Sequence, residues 1–371
     1  MNKKLKWSNY DFSQIPFDQI VSFGQRSLLY QDLFCVSWLL GRFCNYKCSY
    51  CWTHGRSDQL DHRPTELCIK TMDEIKRQAR ERNYNSFHFS FSGGEPTLHR
   101  GYLDILKHYA SDLDRVNFQS CHMTTNLSPQ LKWFEKYIDA TKSMHRISIT
   151  ASWHREYADQ ESFKEKIIFL QQHDVQVTIN MVMVPESFNL IYDEALFFHD
   201  AGINVTLKPQ TNSNATLVVE NYTKEQLRVL HNGMPQRDFT AARLKDSDQS
   251  SERPKAKYDL RKMAIDRGDN DSIPQMMSVE FTDVRGKKYY MDQAERFNAF
   301  NFNHFEGWEC DSGFRSIIIR EPCGSIKRSY SCHDTPLGNI ETGFKLFDAP
   351  RVCVTPTCVS SADSKIPKKR F

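Results

Sequence analysis

Long apolar runs are missing from this sequence. The segment FCVSWLL (34–40) has the length of a strand, whereas a membrane-spanning helix needs ~20 apolar residues. The N-terminus, MNKKLKWSNYDFSQ, is basic but lacks the apolar stretch of a signal peptide. We therefore expect a cytoplasmic protein that does not contact a membrane.

An excess of charge of one sign is also missing, because 49 basic and 46 acidic residues leave a net charge of +3. Proteins that bind nucleic acid usually show a concentrated basic patch, so we expect no nucleic-acid partner. Hydrophobic residues at 39% and aromatic residues at 12% exclude disorder of the whole chain. The 371 residues permit two or three domains at roughly 150 residues each.

Strand-like and helix-like segments alternate from residue 34 to 232. The predicted strands are 34–40, 86–91, 116–123, 146–151, 175–183 and 203–208. Such alternation predicts a parallel sheet with right-handed crossovers, and six units are too few for a closed barrel of eight. The fold class is therefore α/β, either a partial (β/α)6 TIM-like barrel or a doubly wound sheet. In both, ligands gather at the carboxyl ends of the strands.

Local signals mark several helix ends. Ser128 and Pro129 predict an N-cap followed by a first-turn proline. Thr223 and Gln226 predict a capping box, and Gly202 predicts the end of the helix before it.

Composition divides the rest of the chain. Residues 1–33 form an N-terminal extension to the predicted barrel of 34–232. Residues 233–300 are a polar insertion or bridging segment with a hairpin, and 301–371 are a small domain that contains a second hairpin.

Eleven cysteines are expected to be metal ligands or buried thiols, because disulfides are rare in a reducing compartment. Cys44, Cys48 and Cys51 lie within eight positions, in CNYKCSYC. A structural zinc site needs four ligands, and His54 alone lies close enough in sequence to add a fourth. Three cysteines do suffice for a [4Fe–4S] cluster whose fourth iron stays open to another ligand.

The segment SGGEPTL (92–98) directly follows the second predicted strand. Gly93 and Gly94 allow the backbone to approach a bound polar group. Glu95 adds a carboxylate at the carboxyl end of that strand, where it could hold the ammonium of an amino-acid-like ligand.

CNYKCSYC after the first strand and SGGEP after the second resemble the motifs of the radical S-adenosylmethionine (radical SAM) enzymes. The resemblance implies that the three cysteines hold a [4Fe–4S] cluster, whose open iron is chelated by the methionine part of S-adenosyl-L-methionine. It also implies that Gly93, Gly94 and Glu95 receive the methionine ammonium. Enzymes of this family reduce S-adenosylmethionine to form a 5′-deoxyadenosyl radical, which removes hydrogen from an unactivated carbon.

The same resemblance implies further cofactor contacts. Tyr50 would lie against the adenine. Polar residues at the ends of the third and fourth strands would meet the ribose or the methionine carboxylate, namely Thr125, Asn126, Thr150 and Ser152. Capping of the following loop is the alternative role for these four.

Five cysteines lie beyond residue 300. Cys310 and Cys332 flank the second hairpin, which should bring them together, and Cys353 and Cys358 can complete a four-cysteine site. Cys323 lies in the hairpin turn, roughly 20 Å from the other two at ~3.3 Å per residue, and is not expected to be a ligand. This tail resembles the auxiliary-cluster (twitch or SPASM-like) domain of some radical SAM enzymes, which implies a second [4Fe–4S] cluster. A zinc site on the same four cysteines is the alternative.

A closed auxiliary cluster would accept an electron from the substrate radical, which favours dehydrogenation or oxidative bond formation. The expected partners are a small-molecule or peptide substrate and an electron donor such as flavodoxin or ferredoxin. We favour a small metabolite, because the 1–33 extension is too short for the leader-binding domain that many peptide-modifying relatives carry.

Two alternatives stay open. A peptide-modifying maturase would cross-link or epimerise its substrate, and epimerisation would need a hydrogen donor such as Cys121, if it faces the pocket. His154, Lys208 and Gln210 are candidate substrate contacts. A non-catalytic iron–sulfur or zinc protein is the alternative of another class, but it would need neither SGGEP nor polar residues at successive strand ends.

Overall fold

The computed structural model describes most of the chain. The described residues are 15–51, 56–213, 217–236, 259–269, 276–291, 302–332, 336–358, 363 and 365–370. His54 and most of the predicted 233–300 segment lie outside them. Of the described helices, none is long and apolar enough to cross a lipid bilayer.

Sixteen strands form two sheets in the described part of the chain. The strands are β1 (Ile20–Gln25), β2 (Leu33–Leu39), β3 (Ser86–Ser92), β4 (Phe118–Thr125), β5 (Arg146–Trp153), β6 (Gln176–Met183), β7 (Asn204–Pro209), β8 (Val279–Asp283), β9 (Lys288–Met291), β10 (Glu309–Cys310), β11 (Ser316–Arg320), β12 (Ser325–Lys327), β13 (Gly338–Asn339), β14 (Gly343–Phe344), β15 (Arg351–Val352) and β16 (Lys368–Lys369).

Seven α-helices are described. They are α1 (Thr65–Arg80), α2 (Tyr102–Ala110), α3 (Leu131–Thr141), α4 (Gln160–Gln172), α5 (Phe188–Asp200), α6 (Lys224–Asn232) and α7 (Leu260–Asp266). The capping box of Thr223 and Gln226 is confirmed at the start of α6. Gly202 follows α5 with a positive φ of 88°, and its N–H bonds the His199 carbonyl, as predicted.

The predicted start of α3 is wrong. The helix begins at Leu131 with Gln130 as its N-cap, instead of being capped by Ser128. The Ser128 N–H donates to the Asn126 side chain at 2.9 Å, and Leu127 has a positive φ of 53°. The chain therefore turns through residues 126–130 between the end of β4 and the start of α3.

The six predicted strands are confirmed as β2 to β7, which lie side by side in chain order and pair in parallel. A doubly wound sheet reverses its strand order at a switch point, and this sheet has no reversal along the six strands. The architecture is therefore a partial (β/α)6 TIM-like barrel. Its helix-facing side chains form one large buried cluster with α1 to α5.

The C-terminal region extends this barrel. β11 pairs in parallel with β2, with Ser316 opposite Cys35, and β12, β13 and β14 continue the same sheet by antiparallel pairing. The predicted second hairpin is thus present as β11 and β12.

The second sheet has the order β15-β10-β16-β1-β8-β9. The predicted 278–291 hairpin is present as β8 and β9, with Gly286 at its turn. The sequence interpretation missed β1, which lies in the predicted N-terminal extension and pairs with β8 and β16. Residues from both ends of the described chain therefore build one sheet.

Candidate functional site

The cysteine loop, residues 41–51, follows β2 at the carboxyl edge of the barrel. Cys44 and Cys48 are half-buried, and Cys51 is exposed. Burial raises the pKa of Cys44, and burial together with the Glu156 charge raises that of Cys48 to about 12. The Cys51 charge adds to both shifts, so the three thiols are electrostatic neighbours.

The two glycines of SGGEP pack against the backbone of the cysteine loop. The Gly94 N–H donates to the Gly41 carbonyl at 2.9 Å, and the Glu95 N–H donates to the Phe43 carbonyl at 2.8 Å. A Cβ on Gly93 would lie 2.1 Å from the Gly41 oxygen, and one on Gly94 would lie 2.2 Å from the Phe43 oxygen. Only glycine allows the two loops to meet this closely. No described residue donates a hydrogen bond to the carbonyl oxygens of Gly93 and Gly94, which leaves them for a ligand.

The Glu95 carboxylate points into the protein, and Glu95 is only 2% exposed. Its Oε1 accepts hydrogen bonds from the Thr97 N–H at 3.1 Å, the Thr97 hydroxyl at 2.7 Å and the Thr125 hydroxyl at 2.7 Å. Its Oε2 accepts from the Asn126 N–H at 2.7 Å. Burial nonetheless raises the pKa of this carboxyl group. Glu95 therefore ties SGGEP to the end of β4, and its predicted contact with the methionine ammonium stays a prediction.

The other predicted strand-end residues divide into two groups. Thr125 is buried against Glu95. Asn126 donates from its side-chain amide to the Asn45 side chain of the cysteine loop at 3.0 Å. Thr150 and Ser152 are half-buried and lie on the inner face of β5, so they can reach a ligand inside the barrel.

A segment after β5 packs on the cysteine loop; we call it the β5 clasp, residues 154–157. The Glu156 carboxylate accepts from the Ser49 N–H at 3.1 Å and from the Ser49 hydroxyl at 2.6 Å. The Tyr50 hydroxyl is 2.8 Å from His154 Nδ1, and the two rings stack at 5.9 Å between centroids. Burial lowers the pKa of His154 to about 4, so this ring is neutral near pH 7. The predicted contact of Tyr50 with adenine stays a prediction.

Two further contacts fix the cysteine loop. The Asp61 carboxylate accepts hydrogen bonds from the N–H groups of Arg42 at 2.8 Å and Phe43 at 3.1 Å. The rings of Tyr46 and Tyr157 stack at 4.8 Å between centroids. Sequence reasoning missed Asp61 and Glu156, because nothing in their local patterns indicates which loop they would contact. It named His154 only as a candidate substrate contact, which stays a prediction, whereas the structure shows the ring against Tyr50.

The tail cysteines, Cys310, Cys332, Cys353 and Cys358, are buried, with exposures of 3%, 7%, 5% and 8%. A hydrogen bond from the Cys332 thiol lowers the pKa of Cys353 to about 7. Burial raises the pKa of Cys358 to about 12, and the charges of Cys310 and Cys332 contribute to that shift. The four predicted ligands therefore lie in one region, and their ligation of a cluster stays a prediction.

Cys323 differs from the tail cysteines. It is exposed in the turn between β11 and β12, and its thiol bonds the Arg320 carbonyl at 3.6 Å. Within the described ranges, no group of three or more Cys, His, Asp or Glu side chains already has the geometry of a metal site. The two predicted ligand sets, the cysteines of the cysteine loop and the tail cysteines, nevertheless consist of thiols, which are the ligands that iron–sulfur clusters use.

The remaining candidate substrate contacts and hydrogen donor lie in different surroundings. Cys121 is fully buried on the helix side of β4, with its sulfur 3.8 Å from the Tyr137 hydroxyl, so it does not face the barrel interior. Lys208 is half-buried and lies opposite Val182 on β6. The Gln210 N–H donates to the Tyr222 hydroxyl at 2.7 Å.

The sequence of the barrel matches a known family. Residues 38–194 match the model of the Radical SAM superfamily. This part of the chain, from β2 into α5, is therefore similar to a radical SAM domain. Its matched segment contains the cysteine loop, SGGEP and the β5 clasp described above. No curated protein sequence matches the chain.

Three solved radical SAM structures resemble the chain. Hexahistidine-tagged anSMEcpe with bound AdoMet is 15% identical, with 84% of this chain and 79% of that chain covered and a TM-score of 0.47. Native anSMEcpe with bound AdoMet is 14% identical, with the same coverage and a TM-score of 0.48. SuiB of Streptococcus suis is 13% identical, with 83% of this chain and 64% of SuiB covered and a TM-score of 0.45.

Proposed function

We propose that this protein is a radical SAM enzyme that cleaves S-adenosylmethionine and oxidises a small metabolite. Its three loop cysteines would hold a [4Fe–4S] cluster. When bound, that cluster and S-adenosylmethionine supply a 5′-deoxyadenosyl radical, which removes hydrogen from an unactivated carbon. The net reaction would be a dehydrogenation or an oxidative bond formation.

The observation that carries this proposal is the backbone contact between SGGEP and the cysteine loop. The bonds from Gly94 to Gly41 and from Glu95 to Phe43 place the free carbonyls of the glycines beside the thiol-bearing loop. Carbonyl oxygens are acceptors that suit an ammonium group. A methionine moiety held there by its ammonium would lie next to the cluster, as chelation of the open iron requires.

At the carboxyl edge of the barrel the chain would also orient a ligand and shield it from water. Asp61 and the β5 clasp hold the cysteine loop from two sides. Thr150 and Ser152 present hydroxyls toward the interior. A site so fixed limits the movement of a reactive intermediate and restricts the entry of water.

The tail cysteines support the oxidative reaction. Four buried thiols would close every ligand position of a second [4Fe–4S] cluster, and a closed cluster accepts electrons without binding substrate. An electron donor such as flavodoxin or ferredoxin would serve the first cluster. The peptide-modifying maturase stays the second candidate, but its epimerising form loses support because Cys121 faces the helices.

The test is an anaerobic assay. The protein is reconstituted with iron and sulfide and reduced; S-adenosylmethionine is then added, and 5′-deoxyadenosine is quantified by mass spectrometry. We expect product from the wild type and none from Cys44→Ala, while Cys323→Ala, a change of an exposed cysteine outside both sets, should match the wild type. Wild-type protein with ~8 irons per chain, as two cubane clusters require, that forms no product with or without candidate metabolites would contradict the proposal.

A further inference from the structure

The interior of the barrel is polar. On β3 to β7 the side chains that face the helices are buried, whereas most of those that face inward are half-buried, and the inward-facing His88, Ser120 and Ser148 are buried. The inward positions include Ser90, Ser92, His122, Thr124, Thr150, Ser152, Thr178, Asn180, Thr206 and Lys208. A filled barrel core would consist of branched apolar side chains, so this interior is built to receive a polar ligand.

Two histidines face this interior: His88 is the third residue of β3, and His122 is the fifth of the eight residues of β4. Strand register places His88 beside Ser120 and His122 beside Ser148. His88 Nδ1 is 2.8 Å from the Ser120 hydroxyl, and His122 Nδ1 is 2.9 Å from the Ser148 hydroxyl. No described residue bonds Nε2 of either ring. Each histidine therefore has one ring nitrogen fixed by the barrel and one available to a ligand.

A guanidinium lies on the same inner face. Arg146 is the first residue of β5 and pairs with Ser120 of β4. Ser120 pairs in turn with His88 of β3. Its Nε donates to the Gln176 side-chain oxygen at 2.8 Å, and Nη1 donates to the Met276 sulfur at 3.2 Å. Both partners are uncharged, and among the described residues Arg146 forms no ion pair.

Lys365 adds a second positive charge near the histidines. Its charge and that of Arg146 both lower the pKa values of His88 and His122, after burial as the largest cause, and His122 reaches about 3. The two rings are therefore neutral near pH 7, and the charges of both cations act on them. The carboxylate of Asp32 at this end of the sheet is already engaged, by Arg267 and by Ser86.

An apolar cluster closes the interior below these groups. Its members are Leu29, Tyr30, Leu33, Cys35, Phe118, Met276 and Ile366. Met276 contacts Arg146, and Ile366 follows Lys365 in sequence. The cations thus lie between a polar chamber and an apolar base, where the low dielectric strengthens their attraction for an anion.

We infer that His88, His122, Arg146 and Lys365, here called the barrel floor, bind an anionic oxygen group of the substrate. The group is a carboxylate or a phosphate, since the guanidinium fork binds either with two hydrogen bonds. The inference rests on the proposed function only in taking the ligand to be the substrate. The barrel floor lies closer to the amino ends of the strands than Ser92, Thr124 and Ser152 do, so an anchored anion would direct the rest of the substrate toward the carboxyl edge.

The test measures anion binding without turnover. Isothermal titration calorimetry on the reconstituted protein uses inorganic phosphate and glutarate as separate probes. We expect saturable one-to-one binding of at least one probe, weakened about tenfold or more in Arg146→Gln, as loss of a charge-assisted pair implies. Arg115→Gln, which removes an exposed arginine ahead of β4, should bind like the wild type. The probe that binds more tightly identifies the group.

Two outcomes would overturn the inference: no saturable binding of either probe, or equal binding by wild type and Arg146→Gln. Should Arg146→Gln fail to fold, judged by circular dichroism, the anion binding of Arg146→Lys and Lys365→Met is compared with that of the wild type instead. Substrate-independent formation of 5′-deoxyadenosine is measured in parallel and should not change in these variants. Anion binding without that product would refute the proposed function alone, and the product without anion binding would refute the barrel floor alone.

Discussion

The cysteine loop and the tail cysteines hold their thiols by different means. The loop is partly exposed and takes its shape from contacts with SGGEP, Asp61 and the β5 clasp. The tail cysteines are buried, and three of them pack in one cluster with rings such as Phe305 and Trp308. An accessible loop leaves room for a ligand beside the thiols, whereas a buried set leaves none. The difference supports the proposal that the loop holds an open cluster that binds cofactor and that the tail holds a closed cluster that only transfers electrons.

Substitution of a tail cysteine should remove the proposed second cluster without affecting the reaction proposed at the cysteine loop. We expect Cys332→Ser to lose about four of ~8 irons while still forming 5′-deoxyadenosine from S-adenosylmethionine. Iron analysis and the anaerobic product assay measure both effects, with Cys323→Ser as the matched control. Loss of 5′-deoxyadenosine in Cys332→Ser as well would show that the two sets do not act separately.

The next largest effect is expected on the stability of the protein when Glu95 is substituted. Glu95→Gln replaces an acceptor of four hydrogen bonds by an amide whose NH2 faces buried donors, so the free energy of unfolding should fall by about 2–4 kcal/mol. Denaturant titration of the cluster-free protein measures this change. Glu225→Gln, an exposed glutamate on α6, should change it by less than about 0.5 kcal/mol. A stable Glu95→Gln protein that loses only cofactor affinity would instead favour direct contact of this carboxylate with the ammonium.

Exposure of the thiols predicts their order of alkylation in the cluster-free protein. Iodoacetamide should label Cys51 and Cys323 first, because both are exposed, and the tail cysteines at least about tenfold more slowly, because they react through opened states of the chain. Peptide mass spectrometry over time gives the rates. Early labelling of the tail cysteines would show that their burial depends on a bound cluster.

The smallest expected effect concerns the β5 clasp. Glu156→Gln keeps the size of the side chain but removes the charge that accepts hydrogen bonds from Ser49. At an exposed site the loss should be about 1 kcal/mol, or roughly a fivefold rise in the concentration of S-adenosylmethionine needed for half-maximal product. Glu186→Gln, which lies away from the cysteine loop, is the control. An unchanged requirement for S-adenosylmethionine would mean that the cysteine loop holds its shape without the clasp.

Much of the fold was predictable because the strands of the barrel are buried on their helix-facing side and carry strong local signals. β1 was missed because IVSFGQ alternates weakly and contains Gly24, and its partners β8 and β16 are distant in sequence. The Ser128 cap was wrong because the turn after β4 depends on Asn126, whose role in that turn no local pattern reveals.

The candidate site was predictable in its motifs but not in the directions of its side chains. The spacing of Cys44, Cys48 and Cys51 and the presence of SGGEP are properties of the sequence alone. The inward course of the Glu95 side chain is not, because it depends on hydrogen bonds to Thr125 and Asn126 some thirty residues later. The barrel floor likewise required strand register, which pairs His88 with Ser120 and His122 with Ser148.

The pairing of β11 with β2 has a consequence for synthesis on the ribosome. β2 is made early, but its partner emerges only after roughly 280 further residues, so one edge of the barrel stays unpaired while the rest of the barrel is translated. An open edge of this kind can pair with another chain. We expect nascent chains that stop before residue 316 to associate with one another or with a chaperone, and this exposure to end when β11 leaves the ribosome.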